Sequence, residues 1–259
     1  MPDFLDVLAQ DAKATVEEGY YVHPKPAMTC HASLKQAITQ SKTVPIITEV
    51  KGASPSAGTI KKAFAPERIA EAMARGGAIG ISVLTEPKHF DGSLSNLAEV
   101  RQAVRLPILM KDIVLSTAQL EAAAQVGANV VLLIQALFDR GYCQCGVDEM
   151  VAEAHARNLE VLLETHSQDE FRRALSSNAD LVGINNRNLG TLKVDLNVTK
   201  KILEQNAAGG KIVVSESGIT SAADVCFLRG CGADAFLVGS AVMRAGDVEA
   251  KVRELVHAL

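Results

Sequence analysis

The sequence lacks any apolar run near the roughly 20 residues needed to cross a bilayer. It has no excess of basic residues: 26 Lys and Arg face 30 Asp and Glu, a formal net charge of −4. Such a balance argues against coating nucleic acid or an anionic membrane, although a few local lysines can still hold a small anion. The first residues, MPDFLDVLAQDAKATVEE, place acids early and show no basic-then-apolar leader pattern, so a cytoplasmic location is expected. Cysteine is sparse and odd in number: Cys30, Cys143, Cys145, Cys226 and Cys231. Cys143-x-Cys145 has no second Cys or His pair at zinc-site spacing, so ordinary reduced thiols and no metal are expected. The dinucleotide fingerprint G-x-G-x-x-G is missing from the first strand–helix turn as well.

What is present is a repeat. From residue 44 onward a short β-rich apolar run, a turn and a helix-like stretch recur, one unit in about 27 residues, the size of a strand plus crossover helix. The runs are VPIITEV, AIGISVLT, PILMKD, NVVLLI, EVLLET, DLVGIN, KIVVSES and ADAFLVG. Their near-continuous apolar character fits parallel strands covered on both faces. The segments between them, such as PERIAEAMARGG and SQDEFRRALSSN, read as amphipathic helices with Ser, Asp or Pro at the start and Gly or Asn at the end. Eight such units predict an α/β chain, a closed (β/α)8 TIM barrel, rather than an open doubly wound sheet with fewer strands. Residues 1–43 lie outside the repeat and read as a helical N-terminal extension broken at Pro24 and Pro26; 1–259 is expected to be one domain, with the barrel over 44–259.

A barrel of this kind carries its chemistry at the C-terminal ends of the strands. Polar residues gather there: Glu49 and Lys51 on the first, Thr85-Glu86 on the second, Lys111-Asp112 on the third. The fifth ends in Glu164-Thr165-His166, the sixth in Asn185-Asn186-Arg187, the seventh in Ser215-Glu216-Ser217-Gly218 and the eighth in Gly239-Ser240. A single such charge is ordinary rim chemistry; six strands of eight ending in acid, base or amide groups points to a site. Glu49 and Lys51 stand two apart, so alternation puts both on one face. Barrels of this type often hold phosphate with the loops after strands seven and eight, and Ser217-Gly218 and Gly239-Ser240 offer glycines and a helix start for that, with Ser54 in the first loop adding a hydroxyl. His166 and His89 read as structural or loop histidines.

The motifs, taken in order, resemble the indole-3-glycerol phosphate synthase family of tryptophan biosynthesis. They are Glu49-Val50-Lys51-x-x-Ser54-Pro55-Ser56, Ile81-Ser82-Val83-Leu84-Thr85-Glu86-Pro87-x-x-Phe90-x-Gly92-Ser93, Leu109-x-Lys111-Asp112, Leu163-Glu164-x-His166, Gly183-Ile184-Asn185-Asn186-Arg187-Asn188-Leu189, Val214-Ser215-Glu216-Ser217-Gly218-Ile219 and Leu237-Val238-Gly239-Ser240-Ala241-Val242-Met243. The resemblance implies ring closure, decarboxylation and dehydration of 1-(2-carboxyphenylamino)-1-deoxyribulose 5-phosphate, with no metal or organic cofactor. It implies Lys111 as the acid of ring closure, Lys51 as a second lysine and Glu49 and Glu164 as matching carboxylates. Asn185 and Arg187 match positions that hold the substrate carboxylate and hydroxyls, and Glu216 and Ser217 match positions at the sugar. Ser54, Gly218, Gly239 and Ser240 match the phosphate cradle, while Phe90, Leu133, Leu189 and Leu237 are candidates for the apolar wall. The implied partner is a small phosphorylated substrate, with no nucleic acid and no membrane, and weak association with other tryptophan enzymes is compatible with it.

Two departures from the family pattern stand out: Gly52, where many relatives carry a basic residue, and Ile113, where the pattern has Phe. Two other functions are open to such a chain. One is the related phosphoribosylanthranilate isomerase barrel, which uses a cysteine where Lys51 stands. The other is a non-catalytic barrel that binds a phosphate ester.

Overall fold

In the computed structural model, residues 3–28, 30–54, 58–59 and 65–258 are described. Eight parallel strands close into one barrel, each paired with its sequence neighbours and the last with the first. They are Ile46–Val50, Gly80–Leu84, Ile108–Lys111, Val130–Ile134, Glu160–Thr165, Leu181–Asn185, Ile212–Glu216 and Ala235–Val238, one within each predicted run. The helices between them follow their cap signals. Ser93, Ser116, Ser167 and Ser221 each accept a backbone N–H from the first turn, and Pro66 opens the helix Pro66–Arg75. Two features depart from a plain strand–helix repeat, in which the tail AVMRAGDVEAKVRELVHAL reads as one helix. Gln135–Asp139 forms a short helix directly after strand four, and the C-terminal segment splits into Ser240–Met243 and Val248–Val256. The chain after strand one folds back as a small antiparallel pair, Ala53–Ser54 with Gly58–Thr59.

Strand alternation divides the core. Ile46, Val50, Ile81, Val83, Ile108, Met110, Val131 and Leu133 face the helix layer, in one cluster with helix residues such as Leu97, Leu120 and Met150. Ile47, Leu109, Leu132, Leu162, Val214 and Leu237 fill the barrel axis in a second cluster. The strand register closes only if one residue is climbed at each strand, so inward side chains stack in layers drawn from alternate strands. From the bottom, an odd-strand layer of Ile47, Leu109, Leu162 and Val214 is followed by Ser82, Leu132, Gly183 and Leu237. Next come Glu49, Lys111, Glu164 and Glu216, one from each odd strand, and above them Leu84, Ile134, Asn185 and Gly239. Hydrophobic packing thus runs up the axis and stops at a layer made wholly of ionisable groups.

The N-terminal extension closes both ends. Leu34 and Ile38 of the helix Leu34–Thr39 join the axial cluster, and its start is held by Glu160 at the foot of strand five, which accepts from the Leu34 N–H at 2.8 Å. The helix Phe4–Glu17 buries Leu5, Leu8, Ala9 and Ala12 over the opposite end. Arg140 meets Asp3 and Asp6 at 2.7 and 2.6 Å, and His89 meets Asp11 at 2.7 Å, fixing this helix to loops after strands four and two. No described helix is long and apolar enough to cross a membrane.

Candidate active site

A pocket opens at the C-terminal end of the barrel, above the charged layer. Its polar lining is Glu49, Lys51, Lys111, Glu164, Asn185, Arg187 and Ser217, with Glu86 and Asp112 beside them. Its apolar lining is Phe4, Leu8, Leu84, Phe90, Ile113, Leu132, Ile134, Leu189 and Leu192. Charge and aromatic-sized apolar surface therefore meet in one cleft.

Glu49 and Lys51 do share the inward face, and the Lys51 Nζ donates to Glu49 Oε1 at 2.6 Å. Lys111 Nζ donates to Glu164 Oε2 at 3.0 Å and to Glu216 Oε2 at 3.3 Å. Burial works against the Lys111 ammonium, but the Glu164 carboxylate, aided by Glu49, outweighs it and holds its proton more firmly than in an ordinary lysine. Burial would also raise the Glu164 carboxyl; Lys111, then His166, overcome this and keep it well below the usual carboxylate range. Glu49 is lowered in the same way, with Lys51 and Lys111 outweighing burial. Glu216 goes the other way. Burial, with Glu164 and Glu49 adding to it against the pull of Lys111, pushes it up to about 8. It does not line the pocket, so it stands behind Lys111 as a carboxyl that keeps its proton at neutral pH.

Arg187 lines the pocket with its guanidinium donating to the Leu192 carbonyl at 3.1 Å, and Asn185 accepts the Arg187 N–H at 3.0 Å. Ser217 and Gly218 both have left-handed backbone, φ 66° and 84°. A Cβ on Gly218 would in addition strike Val194 and come within 3.0 Å of Leu196. Gly218, Gly239 and Ser240 adjoin the pocket rim by sequence but are not in its lining. Gly239 is in the layer above the charges, where a Cβ would collide with Glu49 and stand 2.8 Å from Lys51 Nζ. The Ser54 backbone belongs to the small antiparallel pair, while its side chain, with Pro55 and Ser56, lies outside the described residues.

Two wall residues read from the sequence are corrected. Leu133 points to the helix layer, and alternation gives the pocket Leu132 and Ile134 instead. Leu237 faces the axis at the level of Leu132, beneath the charges, but unlike Leu132 it is outside the lining. Phe90 and Leu189 do line the pocket. Ile113 lines it too, so the departure from Phe falls within the wall itself. Gly52 is buried, and a Cβ there would stand 3.3 Å from the Asp91 carboxylate. The wall contributed by Phe4 and Leu8 was missed, although their spacing of four on an amphipathic helix put them on one face. The ring of His166, a residue that reads as structural in the sequence, reaches the Glu164 carboxylate. Cys143 is half-buried, and burial pushes its thiol up to about 12, as for an inert cysteine.

The family model described as indole-3-glycerol phosphate synthase matches residues 6–255. The chain belongs to the indole-3-glycerol phosphate synthase family. Among family members, one from Dehalococcoides mccartyi (strain CBDB1) is 43% identical over 220 residues, 84% of this chain and 83% of that protein. One from Methanocaldococcus jannaschii is 41% identical over 227 residues, 86% and 82% of the two chains, and one from Neisseria gonorrhoeae is 42% identical over 210 residues, 81% and 78%. Among solved structures, N-acetylmannosamine-6-phosphate 2-epimerase from Clostridium perfringens aligns with a TM-score of 0.62 at 14% identity, covering 84% of this chain and 94% of that one. Thiamine phosphate pyrophosphorylase from Pyrococcus furiosus aligns with a TM-score of 0.57 at 23% identity, covering 86% and 96%. These two likenesses carry the barrel fold, and family membership carries the rest.

Proposed function

We propose that this chain is a carboxy-lyase that converts 1-(2-carboxyphenylamino)-1-deoxyribulose 5-phosphate to indole-3-glycerol phosphate, releasing carbon dioxide and water. The observation that carries the reading is the charged layer. Lys111 stands between Glu164 and Glu216, Glu49 pairs with Lys51 beside it, and both lysines open into one apolar-walled pocket.

Ring closure joins the aryl carbon that bears the carboxylate to the substrate's ketone carbon, and the ketone oxygen must gain a proton. Lys111 is the acid for this step: it is charged, and Glu164 and Glu216 fix its direction. The bond from the ring to its carboxylate then breaks, its electrons restore the aromatic ring, and carbon dioxide leaves. Dehydration follows. Lys51 protonates the departing hydroxyl, while Glu164, held ionised and facing the pocket, takes the proton lost from the new five-membered ring. Arg187, in the pocket lining, holds the aryl carboxylate with a planar fork suited to it, and Asn185 assists. Phe90, Leu132, Ile134 and Leu189 provide apolar surface for the aromatic ring. Ser217, in the pocket lining, serves the sugar end, Glu216 stands behind Lys111 and holds it rather than touching substrate, and Gly218, Gly239 and Ser240, with Ser54, cradle the phosphate. The reading of the phosphate end is supported by the left-handed backbone at Ser217-Gly218, and that of Lys51 by the lysine where the isomerase barrel would place a cysteine.

The test is to add this substrate to the purified protein and follow indole fluorescence, with Lys111→Ala alongside. Turnover is expected in the wild type and should fall by about 10²–10⁴ in the variant, the usual worth of one positioned acid. Saturable binding without turnover in either protein would move the function to a phosphate-ester-binding barrel.

A further inference from the structure

His166 is two residues past Glu164 at the top of strand five, with its side chain only 13% exposed, and absent from the pocket lining. Its Nε2 lies 3.2 Å from Glu164 Oε1 and its Nδ1 3.6 Å from Oε2 of Glu170, in the first turn of the helix Gln168–Ser176. Both ring nitrogens are sealed from water and neither makes a hydrogen bond; the two carboxylates are the groups they face. A neutral imidazole has one N–H and one lone pair. Set between two carboxylates, it would aim that lone pair at an anion, whereas the imidazolium offers a donor to each.

Glu164 is therefore gripped from both sides: Lys111 holds Oε2 at 3.0 Å and His166 faces Oε1. Glu170 is fixed in turn, accepting the His166 backbone N–H at 2.8 Å and the Ser167 hydroxyl at 3.2 Å. We infer that His166 is a positioning residue that, as an imidazolium anchored on Glu170, orients Glu164 and keeps it an ionised proton acceptor. The charged groups that bear on it are Glu164 from strand five and Glu170 from the following helix, with Lys111 and Glu216 beyond Glu164. Burial alone would lower the ring's pKa, but the two glutamates raise it to about 9. The catalytic half of this inference rests on the function proposed above; the ion-pair half does not.

The experiment has two arms. In the first, wild type, His166→Ala, His166→Gln and Glu170→Gln are compared for turnover across pH. His166→Ala should lose about 10- to 100-fold in kcat with KM within about twofold, as for groups that orient a reacting ligand. His166→Gln, which keeps a donor without the charge, should recover part of kcat. In both, the acid limb of kcat/KM should move up by about one pH unit, because a nearby cation no longer favours the carboxylate. In the second arm, the His166 ring is titrated by NMR in wild type and Glu164→Gln. It should stay charged well above neutral pH in wild type, and its midpoint should fall in the variant. Folded His166 variants with wild-type kcat and an unmoved acid limb would overturn the positioning role, as would losses confined to thermal stability. An ordinary histidine titration insensitive to Glu164→Gln would overturn the ion pair, even if the wild type has no turnover and the functional reading has failed by itself.

Discussion

Gly183 and Gly239 face the barrel axis directly below and above the charged layer, and each marks where a larger side chain would dislodge one of its members. A Cβ at Gly183 would collide with Glu216 Oε1 and touch the Glu164 backbone at 3.4 Å; one at Gly239 would collide with Glu49 Oε1. Neither glycine has a left-handed φ, so space alone explains them. Gly183→Ala should therefore cost about 1–3 kcal/mol of stability, as overpacking does. The same change pushes Glu216 away from Lys111 and should lower kcat by about 10- to 100-fold, because small misplacements at reacting groups are expensive. Gly230→Ala, whose added methyl meets nothing within 4 Å beyond its chain neighbours and its own helix, is the matched control: it should not lose stability and should leave kcat unchanged. Thermal unfolding and steady-state turnover of the two variants decide the matter. A Gly183→Ala protein with unaltered kcat would mean that the position of Glu216 does not matter to the chemistry.

At the scale of elements, the helix Phe4–Glu17 is as much a part of the pocket as any barrel loop, since Phe4 and Leu8 line it. The chain just after this helix is tied to the strand ends. Tyr21 donates to Asp112 Oδ2 at 3.0 Å, and the Tyr20 hydroxyl accepts the Leu94 N–H at 3.1 Å and donates to the Thr85 carbonyl. Asp112 is buried, and this pushes its pKa up to about 6 against the hydrogen bonds from Thr85, Ile113 and Tyr21. Tyr21→Phe removes one of these donors and should cost about 1–3 kcal/mol, the penalty for a buried acceptor left short. Loosening the helix should also raise KM severalfold while kcat, set by Lys111 and Glu164, holds. A melt and a substrate titration of the variant read both effects; an unchanged KM would show that the tyrosine anchor does not govern the wall. This contribution was hard to see in the sequence. The eight strands, their inward carboxylates and lysines, and the rim glycines were legible because a strand's alternation is local. The helix Phe4–Glu17 reaches the site only through tertiary packing, which no local pattern records. Leu133 was mistaken for a neighbour one place away because its strand is apolar on both faces, so hydrophobicity could not tell wall from outer core. His166 was legible in position, sharing the face of Glu164, but its value came from Glu170, which a helix turn brings back to it.

Over the whole molecule, barrel closure draws Glu49, Lys111, Glu164 and Glu216 into one layer from strands spread across the sequence. Their protonation states are consequently properties of the closed fold. With three carboxylates crowded together, the most enclosed one gives up its charge: Glu216, with its pKa pushed up to about 8, against 4.5 for an ordinary glutamate. The sign of the linkage follows from this. Between those two values the folded chain holds a proton that the unfolded chain has lost, so stability from this group is full below pH 4.5 and declines as pH rises through about 8. Glu216→Gln fixes the low-pH charge state, so its melting temperature should fall less than that of wild type over this interval. Activity should follow the same proton. Once ionised, Glu216 tightens the hold on the Lys111 proton and adds a negative charge near an anionic substrate, and each effect lowers kcat/KM. Wild-type kcat/KM should therefore drop above about pH 8. In Glu216→Gln that limb should move to higher pH even though the variant's plateau is lower. A limb that stays in place would assign the titration to another group and leave Glu216 as an ionised anchor of Lys111.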